Sequence, residues 1–261
     1  MNISLEGKHA LIGGSSKGIG LAVARELAAL GASCTLLARN QDALAKAVAE
    51  LPVTAGGKHQ YLVADYDQPE KVSQTVTRLL DGGPVHILIN NTGGPKPGKI
   101  IDALTDEFEA AYRQHVLMNQ LMCQLVVPAM KTEKFGRIVN IISTSVKVPL
   151  PNLGVSNTVR AAVAGWAKTL SNELAAFGIT VNNVLPGFIS TERLDALTAV
   201  NAAAKGISVG EEMGKMADSV PAGRIGTAEE IAAVAAFLCT PAAAYVTGES
   251  IRVDGGRTGS I

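Results

Sequence analysis

The sequence predicts one α/β domain, doubly wound, with a parallel sheet of about seven strands. Three observations predict it. Short apolar runs rich in Val, Ile and Leu recur at His9–Gly13, Ser33–Ala38, Gln60–Ala64, His86–Asn90, Arg137–Ser143, Ile179–Leu185 and Ser250–Val253, the pattern of parallel strands covered on both faces. Helical periodicity fills the intervals between them, so strand and helix alternate from end to end. No repeat, low-complexity stretch or Pro/Ser-rich linker breaks the alternation, so residues 1–261 read as a single domain.

Bulk composition narrows the function classes. Apolar residues make up 47% of the chain, enough for a sizeable core. The 23 basic and 23 acidic side chains cancel, which points away from nucleic acid and from an anionic membrane surface. No apolar run reaches the roughly 18 residues of a membrane span, and Met1–Glu6 is unlike a secretory signal. Cys34, Cys123 and Cys239 are far apart and form no C-x-x-C; the four histidines are scattered. They read as reduced core cysteines of a cytoplasmic protein with no metal site.

Taken in order, the first strand runs into Gly13-Gly14-Ser15-Ser16-Lys17-Gly18-Ile19-Gly20 and then into the helical pattern Leu21–Ala28. A glycine-rich turn between strand and helix brings backbone N–H groups close to a phosphate, and the helix N-terminus adds partial positive charge. The spacing is G-x-x-x-G-x-G, and it resembles that of the short-chain dehydrogenase/reductase family, a Rossmann-type fold. The second strand ends at Ala38-Arg39-Asn40 with no acid to take ribose hydroxyls. Arg39 there and Lys17 in the turn fit a 2′-phosphate, so NADP(H) is expected over NAD(H). The third strand leads into Asp65-Tyr66-Asp67. The resemblance implies that Asp65 and the Tyr66 backbone hold the adenine, while Asp65 also suits the turn before the helix at Gln68-Pro69.

The fourth strand leads into Asn90-Asn91-Thr92-Gly93, close to the family's N-N-A-G, which implies that Asn91, Thr92 and Gly93 line the cofactor ribose. The loop Gly94-Pro95-Lys96-Pro97-Gly98 reads as one wall of a substrate cleft. A long helical region from Asp102 to about Glu133 follows. Aligned on Gly136–Val139, its His115 occupies the place of a family Asn that holds a relay water.

The reaction centre departs from the family pattern. A Ser at the end of strand five is matched by Ser143, but the Y-x-x-x-K of the next helix is not. The register fixed by Trp166–Leu174 puts Ser156 at the Tyr place and Arg160 at the Lys place. A serine hydroxyl is a far weaker acid than a phenol of pKa about 10, and Arg does not deprotonate in proteins. Arg160 suits ribose hydroxyls, so cofactor holding is expected to survive. A relay through Arg160, Ser156 and water to His115 would let an imidazole supply the acid near neutral pH.

The likeness then resumes. Pro186-Gly187-Phe188-Ile189-Ser190-Thr191 matches the segment whose backbone holds the carboxamide and whose Thr meets the pyrophosphate, which implies roles for Pro186, Gly187, Ile189 and Thr191. Residues 191–220 correspond to a substrate lid. Pro221–Gly226, Glu229-Glu230-Ile231 and Val246–Gly256 complete a likeness over residues 5 to 257, greatest toward the β-ketoacyl-acyl-carrier-protein-reductase-like branch and its subgroup with imperfect catalytic residues. The implied activity is hydride transfer on a small carbonyl/alcohol substrate, acyl-carrier-linked ones included. A cofactor-binding sensor or assembly subunit is the other reading. A homotetramer or homodimer is expected, because Val116, Leu117, Leu121, Met122 and Val126, and Val163, Trp166 and Leu170, spread apolar character over more than one helix face.

Overall fold

The computed structural model describes residues 1–54 and 56–260. Seven strands form one parallel sheet: β1 His9–Gly13, β2 Ser33–Ala38, β3 Gln60–Val63, β4 Ile87–Asn90, β5 Gly136–Ile141, β6 Ile179–Pro186 and β7 Ser250–Val253, in the order β3-β2-β1-β4-β5-β6-β7. The doubly wound parallel sheet expected from the alternation is therefore present. Boundaries differ by one or two residues. His86 still joins the ladder, its N–H donating to His9 O and its carbonyl accepting from Arg137 N. Ser143 leaves β5 because its hydroxyl accepts from Ser145 N and starts a short 3₁₀ turn, Thr144–Val146.

The helices lie in two layers. On one face α1 (Gly18–Ala29), α2 (Gln41–Ala49) and α9 (Ala228–Cys239) cover the sheet through Val23, Leu27, Leu44, Ile231 and Leu238, all fully buried. On the other, α3 (Pro69–Leu80), α5 (Met118–Glu133) and α6 (Gly154–Leu174) cover it through Val72, Met122, Val126 and Ala167. The long region before β5 is not one uniform helix. α4 (Thr105–Tyr112) passes through a π turn at Arg113–Leu117 into α5. The extra residue of such a turn is common at functional sites, and here it carries His115. Two helices, α7 (Glu192–Lys205) and α8 (Val209–Asp218), fill the expected lid.

A row of amides pins the register of the right half of the sheet. Asn90 Nδ2 donates to Asn140 Oδ1 at 2.8 Å, Asn140 Nδ2 to Asn183 Oδ1 at 2.9 Å, and Asn183 Nδ2 to Ser250 Oγ at 3.1 Å. These residues are direct cross-strand partners on β4, β5, β6 and β7. A one-residue slip would break every bond in the row and bury its amides unpaired. The three cysteines are free and buried. Among the described residues no helix is long and apolar enough to cross a membrane, and no group of three metal-binding side chains is found.

Candidate active site

The sheet order reverses direction between β1 and β4, so their carboxyl ends open a crevice at a topological switch point. On its β1 side the glycine turn is shaped by close approach. Gly14 has φ +56°, and a Cβ there would lie 2.7 Å from Asn91 O. Asn91 Nδ2 donates to Gly13 O and Gly14 O at 3.2 and 3.1 Å, tying the β4 loop to the turn. Gly20 packs under Gly14 O, and Gly18 has φ +59°. Ser15 is spent within the fold: its hydroxyl donates to Ile12 O at 2.7 Å and accepts from Leu37 N at 3.0 Å. Ser16 is half-buried, and Ile19 packs against the α1 core.

At the start of α1 the N-cap residue, Lys17, makes no side-chain cap. α3 and α6 likewise start without a side-chain cap, whereas α2, α7, α8 and α9 are capped by Asn40, Thr191, Ser208 and Thr227. The first N–H groups of α1 thus face the crevice without a side-chain acceptor, the arrangement an anion completes. Thr191 lies opposite, its Cγ2 3.8 Å from the position of a Gly18 Cβ. Pro186 ends β6; Gly187 N donates to Val253 O at 3.0 Å, and Ile189 is buried in the α1–α9 core.

Arg39 and Asp65, where the sequence leads one to expect the adenosine, line a cleft of about 460 Å³ beyond β2 and β3 together with Gln68, Lys71 and Arg78 among others. Lys71 and Arg78, both on α3, add two cations that the sequence reading missed. Lys17 does not line this cleft and pairs with Glu192 at the start of the lid. Asp65 also builds the turn into α3, its Oδ1 accepting from Asp67 N at 3.2 Å and its carbonyl from Gln68 N at 2.9 Å. The Tyr66 phenol points inward and occupies the space a Cβ on Gly13 would need. Burial raises its pKa well above the usual phenol value, so it stays protonated.

Over β4 and β5 the remaining residues converge. Thr92 Oγ1 and His115 Nδ1 are 2.7 Å apart, and Nε2 of the buried His115 has no partner. Gly93 is followed by Gly94 and Pro95, whose carbonyls accept from Arg193 Nη1 at 2.9 Å and Nη2 at 3.3 Å. Arg193 thus reaches from the lid across to the opposite wall. Ser156 and Arg160 are both buried on α6, which packs on the π turn. Arg160 Nη1 donates to Ile141 O at 2.8 Å, while its Nε has no partner. Among the described residues neither Arg160 nor Arg193 pairs with a carboxylate. Ser143 Oγ accepts from Ser145 N, which leaves its O–H free to donate toward the crevice.

The electrostatics correct one expectation. His115 was to supply an acid near neutral pH. Burial, with Arg160 and Arg193 beside it, pushes its pKa down to about 3. The imidazole is therefore neutral at physiological pH and has no imidazolium proton to give. Arg160 is lowered to about 10 by burial and by Arg193, and remains a cation. Arg193 had no signal in the sequence beyond its place two residues after Thr191.

The family model described as enoyl-(acyl carrier protein) reductase matches residues 14–258. The 3-oxoacyl-[acyl-carrier-protein] reductase of Escherichia coli is 36% identical over 257 residues, covering 97% of this chain and 98% of that protein. The solved L-sorbose reductase from Gluconobacter frateurii, complexed with NADPH and L-sorbose, superposes over 100% of both chains with a TM-score of 0.93 at 30% identity. A variant of actinorhodin polyketide ketoreductase with NADPH covers 96% of this chain and 97% of its own, with a TM-score of 0.90 at 30% identity.

Proposed function

This chain belongs to the short-chain dehydrogenase/reductase family, and from that premise we propose that it is an NADP(H)-dependent oxidoreductase acting on a carbonyl/alcohol pair at an atypical centre. The observation that carries the reading is the uncapped N-terminus of α1 in a crevice whose far wall holds Ser143, Ser156, Arg160 and His115. The cofactor fits the residues present. Gly14 and Gly20 let the turn fold tightly against Asn91 and itself, where a Cβ would strike backbone, and the α1 N–H groups beyond that turn suit the pyrophosphate. Arg39, with Lys71 and Arg78 across the cleft, suits a 2′-phosphate, which favours NADP(H). Asn91, Thr92, Gly93 and the Pro186–Thr191 segment suit the path between, and Arg160, held on Ile141 O, suits the nicotinamide ribose.

Bound there, NADPH would supply a hydride to the carbonyl carbon. The Ser143 hydroxyl donates to the carbonyl oxygen, and the Arg160 guanidinium stabilises the negative charge that develops on it. No phenol stands at the Ser156 place, and His115 is neutral. The proton that completes the alcohol therefore comes from water rather than from a phenol or an imidazolium. In balance, carbonyl, NADPH and one proton give alcohol and NADP⁺. Pairing of two or four copies through the exposed side of α4 and α6 belongs to the same reading. A groove of about 370 Å³ there is lined by Phe108, Tyr112, Leu117, Val159 and Ala162, among others.

Titrating NADPH and NADH in parallel by cofactor fluorescence tests the cofactor assignment. NADPH should bind more tightly by about tenfold or more, the worth of a charge-assisted phosphate contact, and Arg39→Asp should erase the difference. Equal affinities, or a preference for NADH, would overturn it.

A further inference from the structure

The far wall of the crevice carries more positive charge than a neutral carbonyl compound needs. Arg160 is 7% exposed and has one hydrogen bond, to a backbone carbonyl. Arg193 reaches over from the lid and rests on Gly94 and Pro95, again on carbonyls alone. Close to both is His115, 3% exposed and uncharged at neutral pH. Arg160 Nε and His115 Nε2 are both buried without a partner. A buried cation without a counter-charge is costly, and a second cation beside it raises that cost.

The phosphates of a dinucleotide do not account for this pair, and the nicotinamide ribose that Arg160 suits is neutral and leaves both charges without a counter-charge. The glycine turn that would hold them leaves β1, whereas Arg160 is bonded at the end of β5, with β4 in between. Two strand spacings amount to about 10 Å. The 2′-phosphate cleft lies still further away, beyond β2.

We propose that Arg160 and Arg193 form an anion site for the substrate's own carboxylate, so that the natural substrate is a short oxo acid or hydroxy acid with a free carboxylate. Guanidinium forks match a carboxylate in geometry as well as charge. The assignment rests on the crevice being the carbonyl site. It makes Arg193 the residue that selects a free acid over an ester or thioester. It also gives the lid a reason to close, since the anion supplies Arg193 with a partner better than two carbonyls.

The test is calorimetric titration of acetoacetate and of its uncharged methyl ester into the full chain, with and without saturating NADP⁺, a pairing in which no turnover occurs. NADP⁺ affinity is measured separately, so loss of the cofactor reading and loss of this one are distinguishable. The acid should bind at least about tenfold more tightly than the ester, as expected for a contact to a charged group. NADP⁺ should leave that binding intact. Arg193→Gln should remove the difference without lowering NADP⁺ affinity, and Arg193→Lys should restore part of it. Equal binding of acid and ester would overturn the proposal. So would displacement of the acid by NADP⁺, which would assign the pair to a cofactor phosphate. An unchanged difference in Arg193→Gln would do the same.

Discussion

Arg137 and Arg160 sit at opposite ends of the sheet, both buried and both without a carboxylate partner among the described residues. Arg137, near the amino end of β5, donates through Nε to Thr240 O at 3.3 Å and through Nη1 to Gly136 O and Gly178 O at 2.8 and 3.1 Å. Its guanidinium also lies 4.3 Å from the Phe135 ring centroid. Arg160, beside the carboxyl end of the same strand, has one carbonyl acceptor and a stranded Nε. Three of the four buried, unpartnered side-chain atoms found among the described residues belong to His115, Ser145 and Arg160, at that end. The contrast separates a cation whose hydrogen bonding the fold completes from one it leaves open, as the ligand role proposed for Arg160 requires. Where a fold finishes its own hydrogen bonding the residue is structural, and where it stops short the gap marks function.

The comparison is sharpened by substituting each arginine with methionine. Arg160→Met should lower carbonyl reduction by about 10²–10³-fold, the usual cost of losing a group that stabilises developing negative charge. It should leave stability within about 1 kcal/mol, because an unpaired buried charge leaves with it. Arg137→Met should do the reverse. Three carbonyl contacts are lost, at a cost of about 2–3 kcal/mol in denaturant unfolding, with NADPH affinity of the folded fraction unchanged. Equal effects of the two substitutions on stability would erase the distinction.

A smaller effect concerns His115. Its pKa is depressed to about 3 in the folded chain, against 6.5 when unfolded. Between these values the unfolded chain binds a proton that the folded chain does not, so stability is full above pH 6.5 and falls as pH drops toward 3. His9 and His86 are also depressed, chiefly by burial, and act with the same sign. Denaturation at pH 7 and pH 4.5 should therefore show a smaller acid loss in His115→Asn than in the parent. An identical loss in both would mean that His115 already carries its proton.

Much of this fold was legible because it is written in local periodicity. β1, β2 and β7 fall on the residues the apolar runs mark, and the glycine turn announces the crevice. What was hidden depends on long-range packing. The π turn that turns His115 toward Thr92 leaves no periodic trace, since α4 and α5 continue the same pattern on either side. The partner of Lys17 is 175 residues away, and Arg193 meets Gly94 across 99. The neutral state of His115 follows from its burial and then from two guanidiniums, neither of which sequence order announces. The sequence resemblance points to the Tyr66 backbone alone, yet its phenol fills the space over Gly13, a complementarity visible only in three dimensions.

The central claim is that the carboxyl end of the sheet is a working reductase crevice lacking only a phenol acid. The most direct measurement is NADPH consumption with an uncharged ketone by Ser156→Tyr/Arg160→Lys beside the parent, with NADPH binding followed in both. A positioned general acid contributes about 10²–10⁴-fold, so the double variant should bind NADPH like the parent and reduce the ketone faster by that order. A double variant that folds and binds NADPH but reduces nothing faster than the parent would contradict the claim.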